Sequence, residues 1–372
     1  MKNNVKRIGI LTGGGDCPGL NAVIRAATKA LILEHHAQVF GFEDGFQGLI
    51  EHRFRELKYD DVSGILQLGG TILGTSNKAD PFENPVMENG KLVKKDVSND
   101  VIKYLQDLDI GALMCIGGDG TMTIANQLAQ KGVQIIGVPK TIDNDLYGTD
   151  ITFGYDSALS VAAEALDRIH TTAQSHHRVM LVEIMGRTAG WLTLGAGLAS
   201  GADIILIPEI DYELDVICDK VIERSKKGRR FSIVAVAEGA KPKGGKQVIN
   251  RIIKDSPEPI RLGGVSIQLG HQIEDETGLE TRSTVLGHIQ RGGSPTPFDR
   301  ILATRYGVAA ARLIVDGNMN RMVALRGNEI VSVSLAEIGG RTRRVTSNDP
   351  LLKTAVAVGT NMGVNGRITE NE

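Results

Sequence analysis

Apolar runs, and the polar stretches that interrupt them, divide the chain into a repeated unit. Residues 7–11, Arg-Ile-Gly-Ile-Leu, read as a first strand. Residues 20–34 then carry apolar positions at helical spacing, with Arg25 and Lys29 on the polar side. Residues 112–116, Ala-Leu-Met-Cys-Ile, have the length and composition of a buried strand, and residues 122–129 read as a helix. The alternation recurs at 133–138, 178–184, 204–207 and 232–236, each apolar run leading into a loop of glycine or acidic residues. Strands and helices in this order predict an α/β fold whose mostly parallel sheets are covered by helices on both faces. In such folds ligands sit beyond the carboxyl ends of the strands. Residues 80–100 and 239–264, which mix Gly, Pro and Lys, read as surface insertions, and residues 366–372 as a frayed polar tail.

The loops carry the chemistry. Gly117-Gly118-Asp119-Gly120-Thr121 joins a strand to a helix, and consecutive glycines there let the backbone approach an anion while the helix N-terminus offers N–H donors. Asp119 is out of place in a loop that only binds an anion. It fits a divalent cation shared with phosphates, or else a helix cap. The first loop, Thr12-Gly13-Gly14-Gly15-Asp16-Cys17-Pro18-Gly19, departs from the dinucleotide pattern G-x-G-x-x-G because Pro18 falls on the last glycine. That disfavours hydride transfer and leaves a phosphate cradle. In Lys140-Thr141-Ile142-Asp143-Asn144-Asp145 two carboxylates lie two residues apart beside a hydroxyl. Phosphoryl transfer to an alcohol needs a carboxylate near the attacking hydroxyl, a metal on the phosphates and donors for the equatorial oxygens. Asp143, Asp119 and Thr141 meet those needs; an Asx-turn is the structural alternative for Asp-Asn-Asp. Arg178, Arg187, Arg282 and Arg291, near loops at strand ends, suggest phosphate sites, with salt bridges as the alternative for each. His288 taken alone reads as a buried histidine.

Composition narrows the classes. The 372 residues, 41% apolar and 23% charged, suffice for two domains. A net charge of -2 gives no sign of a nucleic-acid or acidic-membrane partner, and no apolar run is long enough to span a bilayer. Cys17, Cys115 and Cys218 have neither metal-ligand nor disulfide spacing, and Cys17 reads as a small filler. With a polar start and no signal-peptide pattern, a reducing, cytoplasmic setting is expected.

The chain resembles the 6-phosphofructokinases. T-G-G-G-D-C-P-G-L-N at 12–21, G-G-D-G-T at 117–121, P-K-T-I-D-N-D at 139–145, H-R at 177–178, M-G-R at 185–187 and E-T-R-S-T-V-L-G-H-I-Q-R-G-G-S-P at 280–295 match that family's motifs in order. The resemblance implies two Rossmann-like domains. Residues 1–140 with about 290–340 would bind the phosphoryl donor, and 141–289 with about 341–372 fructose 6-phosphate. It implies Asp143 as the base that takes the proton of the sugar 1-hydroxyl, and Asp119 as the Mg2+-associated carboxylate with Asp145 nearby. Thr141 and Arg187 would contact the transferred phosphoryl group. Gly15, Gly118, Asp119, Gly120, Thr121 and Lys140 would line the ATP site. Met185, Gly186, Arg187, Glu238, His288 and Arg291 would hold fructose 6-phosphate. Arg178 and Arg282 would reach its phosphate across a subunit boundary, so a homo-oligomer, dimer or tetramer, with shared active sites is expected.

The chain also departs from the family. Asn77 stands where many bacterial members place an arginine that bridges the substrates, and Lys78 offers a positive charge without the bidentate fork. Ile169-His170 stands where the effector pattern has a further arginine. Glycine at 120 resembles members that use ATP, since an aspartate there would repel the α-phosphate; Lys140 and the insertion at 239–264 resemble pyrophosphate users and their ATP-using relatives. The expectation is an ATP- and Mg2+-dependent 6-phosphofructokinase. A pyrophosphate-dependent enzyme is the alternative, and a silent relative that binds nucleotide or phosphosugar a third reading. Retention of both Asp119 and Asp143 speaks against the silent relative.

Overall fold

The structure is a computed structural model that describes residues 6–88, 90–252 and 260–366. Expectations made for the first five residues, for 253–259 within the second insertion and for 367–372 lie outside the described residues. By their internal contacts the residues form two units. The first comprises Met1–Ile142, Leu146–Asp156 and Arg291–Thr342; the second comprises Asp143–Asp145, Ser157–Gln290 and Arg343–Glu372.

The first unit is built on a seven-stranded sheet. From one edge its order is Glu329–Ser334, Arg321–Arg326, Ile135–Pro139, Ala112–Gly117, Arg7–Thr12, Gln38–Phe42 and Phe54–Glu56. The inner pairs are parallel and the two outermost antiparallel. Both faces are covered. Leu11, Leu113, Cys115 and Ile135 pack with Met122 and Leu128 of the helix Asp119–Gln130, while residues of opposite parity, Ile10, Met114 and Ile136, are equally buried. The helix Leu20–His35 packs on Pro297–Val315 at Gly307, where a Cβ would come within 2.8 Å of the Val23 carbonyl. Thr296 caps that second helix through the Asp299 N–H, and Pro297 occupies its first turn.

The second unit carries a four-stranded, fully parallel sheet in the order Thr281–Val285, Val179–Ile184, Ser232–Ala237, Ile204–Leu206. Leu181, Val234 and Val236 face the helices Leu214–Lys226 and Val265–Thr277. On the other face Ile205 and Ala235 meet Gly197 of the helix Trp191–Ala199. Glu183, buried in a central strand, accepts hydrogen bonds from Gly264 N–H and from the Ser266 N–H and hydroxyl, each at 2.9 Å. The N-terminus of Val265–Thr277 thus satisfies a carboxylate that burial would otherwise make costly.

The expected α/β architecture is therefore the one found. The differences lie at edges and ends. The helix expected from residue 122 starts at Asp119, because the glycines end the strand two residues before it. The stretch 80–100 holds an exposed antiparallel hairpin, Asn84–Glu88 with Lys91–Lys95, and 239–264 holds the pair Ile249–Ile252 with Ile260–Leu262.

Candidate active site

In the first unit three loops converge where the sheet's inner strands end. The loop leaving Arg7–Thr12 is bound to the one at 74–78: Gly14 N–H donates to Ser76 O at 3.1 Å, and the Thr75 hydroxyl to Gly14 O at 2.7 Å. Gly14 lies at φ +76, in the left-handed region that favours glycine. Asn77 and Lys78 stand exposed on the same 74–78 loop. Thr121 is buried and wedged against the glycines of the other strand ends; a Cβ at Gly13 would come within 2.6 Å of its hydroxyl oxygen. The Lys140 side chain is buried and its Nζ donates to the Gly15 carbonyl. Thr141, half-buried at the unit's end, offers its carbonyl to the Thr152 hydroxyl at 2.8 Å. Arg291 lies against Gly15 and donates to Asp16 O at 3.2 Å. Cys17 is buried and its thiol is pushed up to about 12 by burial, so it acts as the small filler expected.

Asp119 is not a cap. Gly118 occupies the capping position without a side-chain bond, and Asp119 Oδ1 accepts from Gly340 N–H at 3.2 Å. Among the described residues no lysine or arginine pairs with it, and burial raises its carboxyl above the ordinary range. A half-buried acid without a cationic partner, at a glycine loop and helix N-terminus, fits Mg2+ carried in on phosphates, since Mg2+ takes one or two carboxylates plus substrate oxygens. Among the described residues no group of three or more His, Cys, Asp or Glu side chains could hold a metal ion. Gly120 follows in the first helical turn with no left-handed φ, and a Cβ there would meet nothing within 4 Å. Neither packing nor backbone conformation requires glycine at that position.

In the second unit the carboxyl end of the sheet gathers most of the remaining residues. Met185, Gly186 and Arg187 follow the strand Val179–Ile184, and Gly186 at φ +142 makes the turn. Gly239 N–H donates to Gly186 O at 3.1 Å, which sets Glu238 beside that turn, and Gln247 donates to both Arg187 O and Gly239 O. Gln290, fully buried, accepts from Met185 N–H at 3.3 Å and donates to Gly287 O at 3.0 Å. It fastens the turn bearing His288 to the Met185–Arg187 loop. His288 is exposed, contrary to the reading of an isolated buried histidine. Asp143 and Asp145 are half-buried on either side of Asn144, which is buried at φ 52. Gln290, Gln247 and the C-terminal Arg343 took no part in the reading of the sequence, although Gln290 lies inside its most specific motif.

Arg178 and Arg282 are placed differently. Both were expected, like the other arginines, near loops at strand ends, with Arg178 opening the run 178–184. Arg178 immediately precedes the strand Val179–Ile184, and Arg282 is second in Thr281–Val285, paired with Met180. They stand at the amino end of the sheet, about 17–20 Å from its carboxyl end for a six-residue strand. Glu280 joins them: its Oε2 lies 2.8 Å from Arg178 Nε, and its Oε1 pairs with Arg282. Those guanidinium groups hold its carboxyl below the ordinary range, Arg178 most of all.

Parallel sheets whose strand ends carry glycine loops, helix N-termini and carboxylates define a phosphate-handling α/β enzyme. The chain belongs to the phosphofructokinase family, whose model matches residues 7–314. It is 53% identical over 364 residues to ATP-dependent 6-phosphofructokinase 2 of Clostridium perfringens, covering 96% of this chain and 99% of that one. It is 47% identical over 339 residues, 91% of this chain and 96% of the other, to pyrophosphate–fructose 6-phosphate 1-phosphotransferase of Amycolatopsis methanolica. The phosphofructokinase structure from Pichia pastoris superposes with a TM-score of 0.76 at 34% identity; it covers 89% of this chain but 35% of the longer Pichia chain. Among the described residues no helix is long and apolar enough to cross a membrane.

Proposed function

We propose that the protein transfers the γ-phosphoryl group of ATP to the 1-hydroxyl of fructose 6-phosphate, giving fructose 1,6-bisphosphate and ADP. Asp143 accepts the hydroxyl proton as the new O–P bond forms and the bond to the ADP oxygen breaks. Thr141 and Arg187 donate to the oxygens of the group in transit. Asp119 would hold Mg2+ brought in with the donor, and the ion when bound would neutralise charge on the donor phosphates. Gly15, Gly118, Gly120 and Thr121 line the donor loops, with Asn77 and Lys78 beside them. Met185, Gly186, Arg187, Glu238, His288 and Arg291 bind the sugar phosphate, and Asp145 adds a second negative charge next to the base. Arg178 and Arg282 serve the site of a second copy, in a homo-oligomer whose sites are shared. Met1–Ile142 with Arg291–Thr342 would then be the donor unit, the other the sugar unit. The setting is the cytoplasm, consistent with three free, buried thiols.

The observation that carries ATP as donor is Gly120. Glycine is a weak helix former, and nothing in the packing of Gly120 calls for it. Open space beside Asp119 is what an α-phosphate and nucleoside need. Gly120→Asp should fit the protein while placing a charge in that space. Unit charges ~4 Å apart repel by roughly 4 kcal/mol at an effective dielectric near 20. The test is kcat/KM with ATP and with pyrophosphate, for both proteins. Wild type should prefer ATP, and Gly120→Asp should lose ATP use far more than pyrophosphate use. A wild type that prefers pyrophosphate, or a variant that still uses ATP well, would overturn this.

Pyrophosphate is the second reading, favoured by the buried Lys140 amine at the Gly15 carbonyl. A compact donor without a nucleoside would depend on such a cation, and the Amycolatopsis relative is named for that donor. The same assay separates the two.

A further inference from the structure

The tripeptide Asp143–Asp145 clusters with the second unit although the residues on both sides of it belong to the first. What holds it there comes from the far end of the chain. Arg343 N–H donates to Asp145 O at 2.7 Å, and its guanidinium donates to Asn144 O at 3.2 Å. The same guanidinium lies 4.0 Å from the centre of the Trp191 ring, and Trp191 Nε1–H donates back to Arg343 O at 3.0 Å. Glu209 Oε1 accepts from both Gly190 N–H and Val345 N–H, at 3.0 and 2.9 Å, so Glu209 also ties the residue before Trp191 to the second residue after Arg343.

We infer that Arg343 is a positioning residue for the phosphoryl transfer, holding the Asp143–Asp145 loop in its reactive shape; this rests on Asp143 as base. Asn144 is buried in the left-handed region, which asparagine enters more readily than most residues but still at some cost in free energy. Its carbonyl accepts a charge-assisted hydrogen bond from the Arg343 guanidinium, the stronger kind of donor for a polar group in a buried residue. The stack on Trp191 fixes the guanidinium plane that aims this donor. Rotation of the Asn144 peptide would turn Asp143 away from its hydroxyl partner. Substrate binding, carried by other residues, would change little.

Arg343→Met is the informative change. The backbone bonds of residue 343 to Asp145 and Trp191 remain, as does an unbranched stem over the indole, while the donor to Asn144 is lost. Trp191 is the chain's single tryptophan, so its emission reports directly on the stack and on folding. The account predicts a kcat about 10–100-fold lower, the usual consequence of a catalytic group misplaced by ~1 Å. KM values for ATP and fructose 6-phosphate should stay within about threefold. Trp191 emission should shift, and Arg343→Lys should recover part of kcat because an ammonium can still donate to Asn144 O. In an Asp143→Asn background the further loss from Arg343→Met should shrink to less than about threefold, since both act on one group. Unchanged kcat in a folded Arg343→Met protein overturns the inference. So does a loss of the same size in both backgrounds, which would mark general loosening. A wild type that fails to phosphorylate fructose 6-phosphate would instead refute the proposed function, and the positioning role with it.

Discussion

At the carboxyl end of the second sheet, Met185, Gly186, Arg187, Glu238 and His288 gather on loops fastened to one another by Gln290, Gln247 and Gly239. At the amino end, Arg178 and Arg282 share one carboxylate, Glu280, and Arg282 is exposed. The first end has the cross-links of a finished pocket wall. The second has two guanidinium groups paired with one carboxylate and separated from the first by the length of a strand. One parallel sheet cannot bring both ends to one small sugar phosphate. If both sets bind fructose 6-phosphate, they bind different molecules of it, which is what the proposal of an arginine pair serving a second copy requires.

The largest effect belongs to the base. Asp143→Asn should leave fructose 6-phosphate binding intact and lower kcat by ~10²–10⁴-fold, the range for loss of a general base. Near-normal turnover would remove Asp143 from the role and leave the carboxyl end without a proton acceptor. The arginine pair should behave in the opposite sense. Loss of a hydrogen bond to a charged group costs about 1.5–3 kcal/mol. Arg282→Ala should therefore raise the KM for fructose 6-phosphate by roughly 10–100-fold, with kcat at saturation much less affected. A kcat effect without a KM effect would break the division of labour between the two ends. The smallest effect concerns Glu280. Removing its charge next to an incoming phosphate should lower that KM by about two- to fivefold, more at low ionic strength, as screened charges do. A raised KM in Glu280→Gln would mean that the carboxylate orients the arginines rather than competing for them.

The inner architecture was legible because parallel strands buried on both faces are written as uninterrupted apolar runs, as at Ala112–Gly117 and Ser232–Ala237. The edges were not. Phe54–Glu56 is three residues long and exposed throughout, and Glu329–Ser334 interleaves its apolar residues with polar ones, so neither gives an uninterrupted apolar run. The loops were legible as motifs, and Asp119, Gly120, Asp143 and Arg187 were singled out from residue type and order. What sequence order could not give is direction and distance. Arg178 and Arg187 are near neighbours in sequence, yet a strand carries them to opposite ends of a sheet. Arg343 meets Asn144 across 199 residues, with no motif to mark either the stack on Trp191 or the bond to the loop.

The central claim is that the two ends of the second sheet serve different active sites, and subunit mixing tests it most directly. Asp143→Asn protein, deficient at its own carboxyl end, and Arg282→Ala protein, deficient at its amino end, would each be assayed alone at limiting fructose 6-phosphate. They would then be assayed after subunit exchange, followed by a size tag on one of them. The account predicts activity in the mixture well above the sum of the two parents, because some hybrid interfaces pair an intact Asp143 with an intact Arg282. Activity that stays at the sum of the parents, in assemblies where exchange is demonstrated, would contradict it.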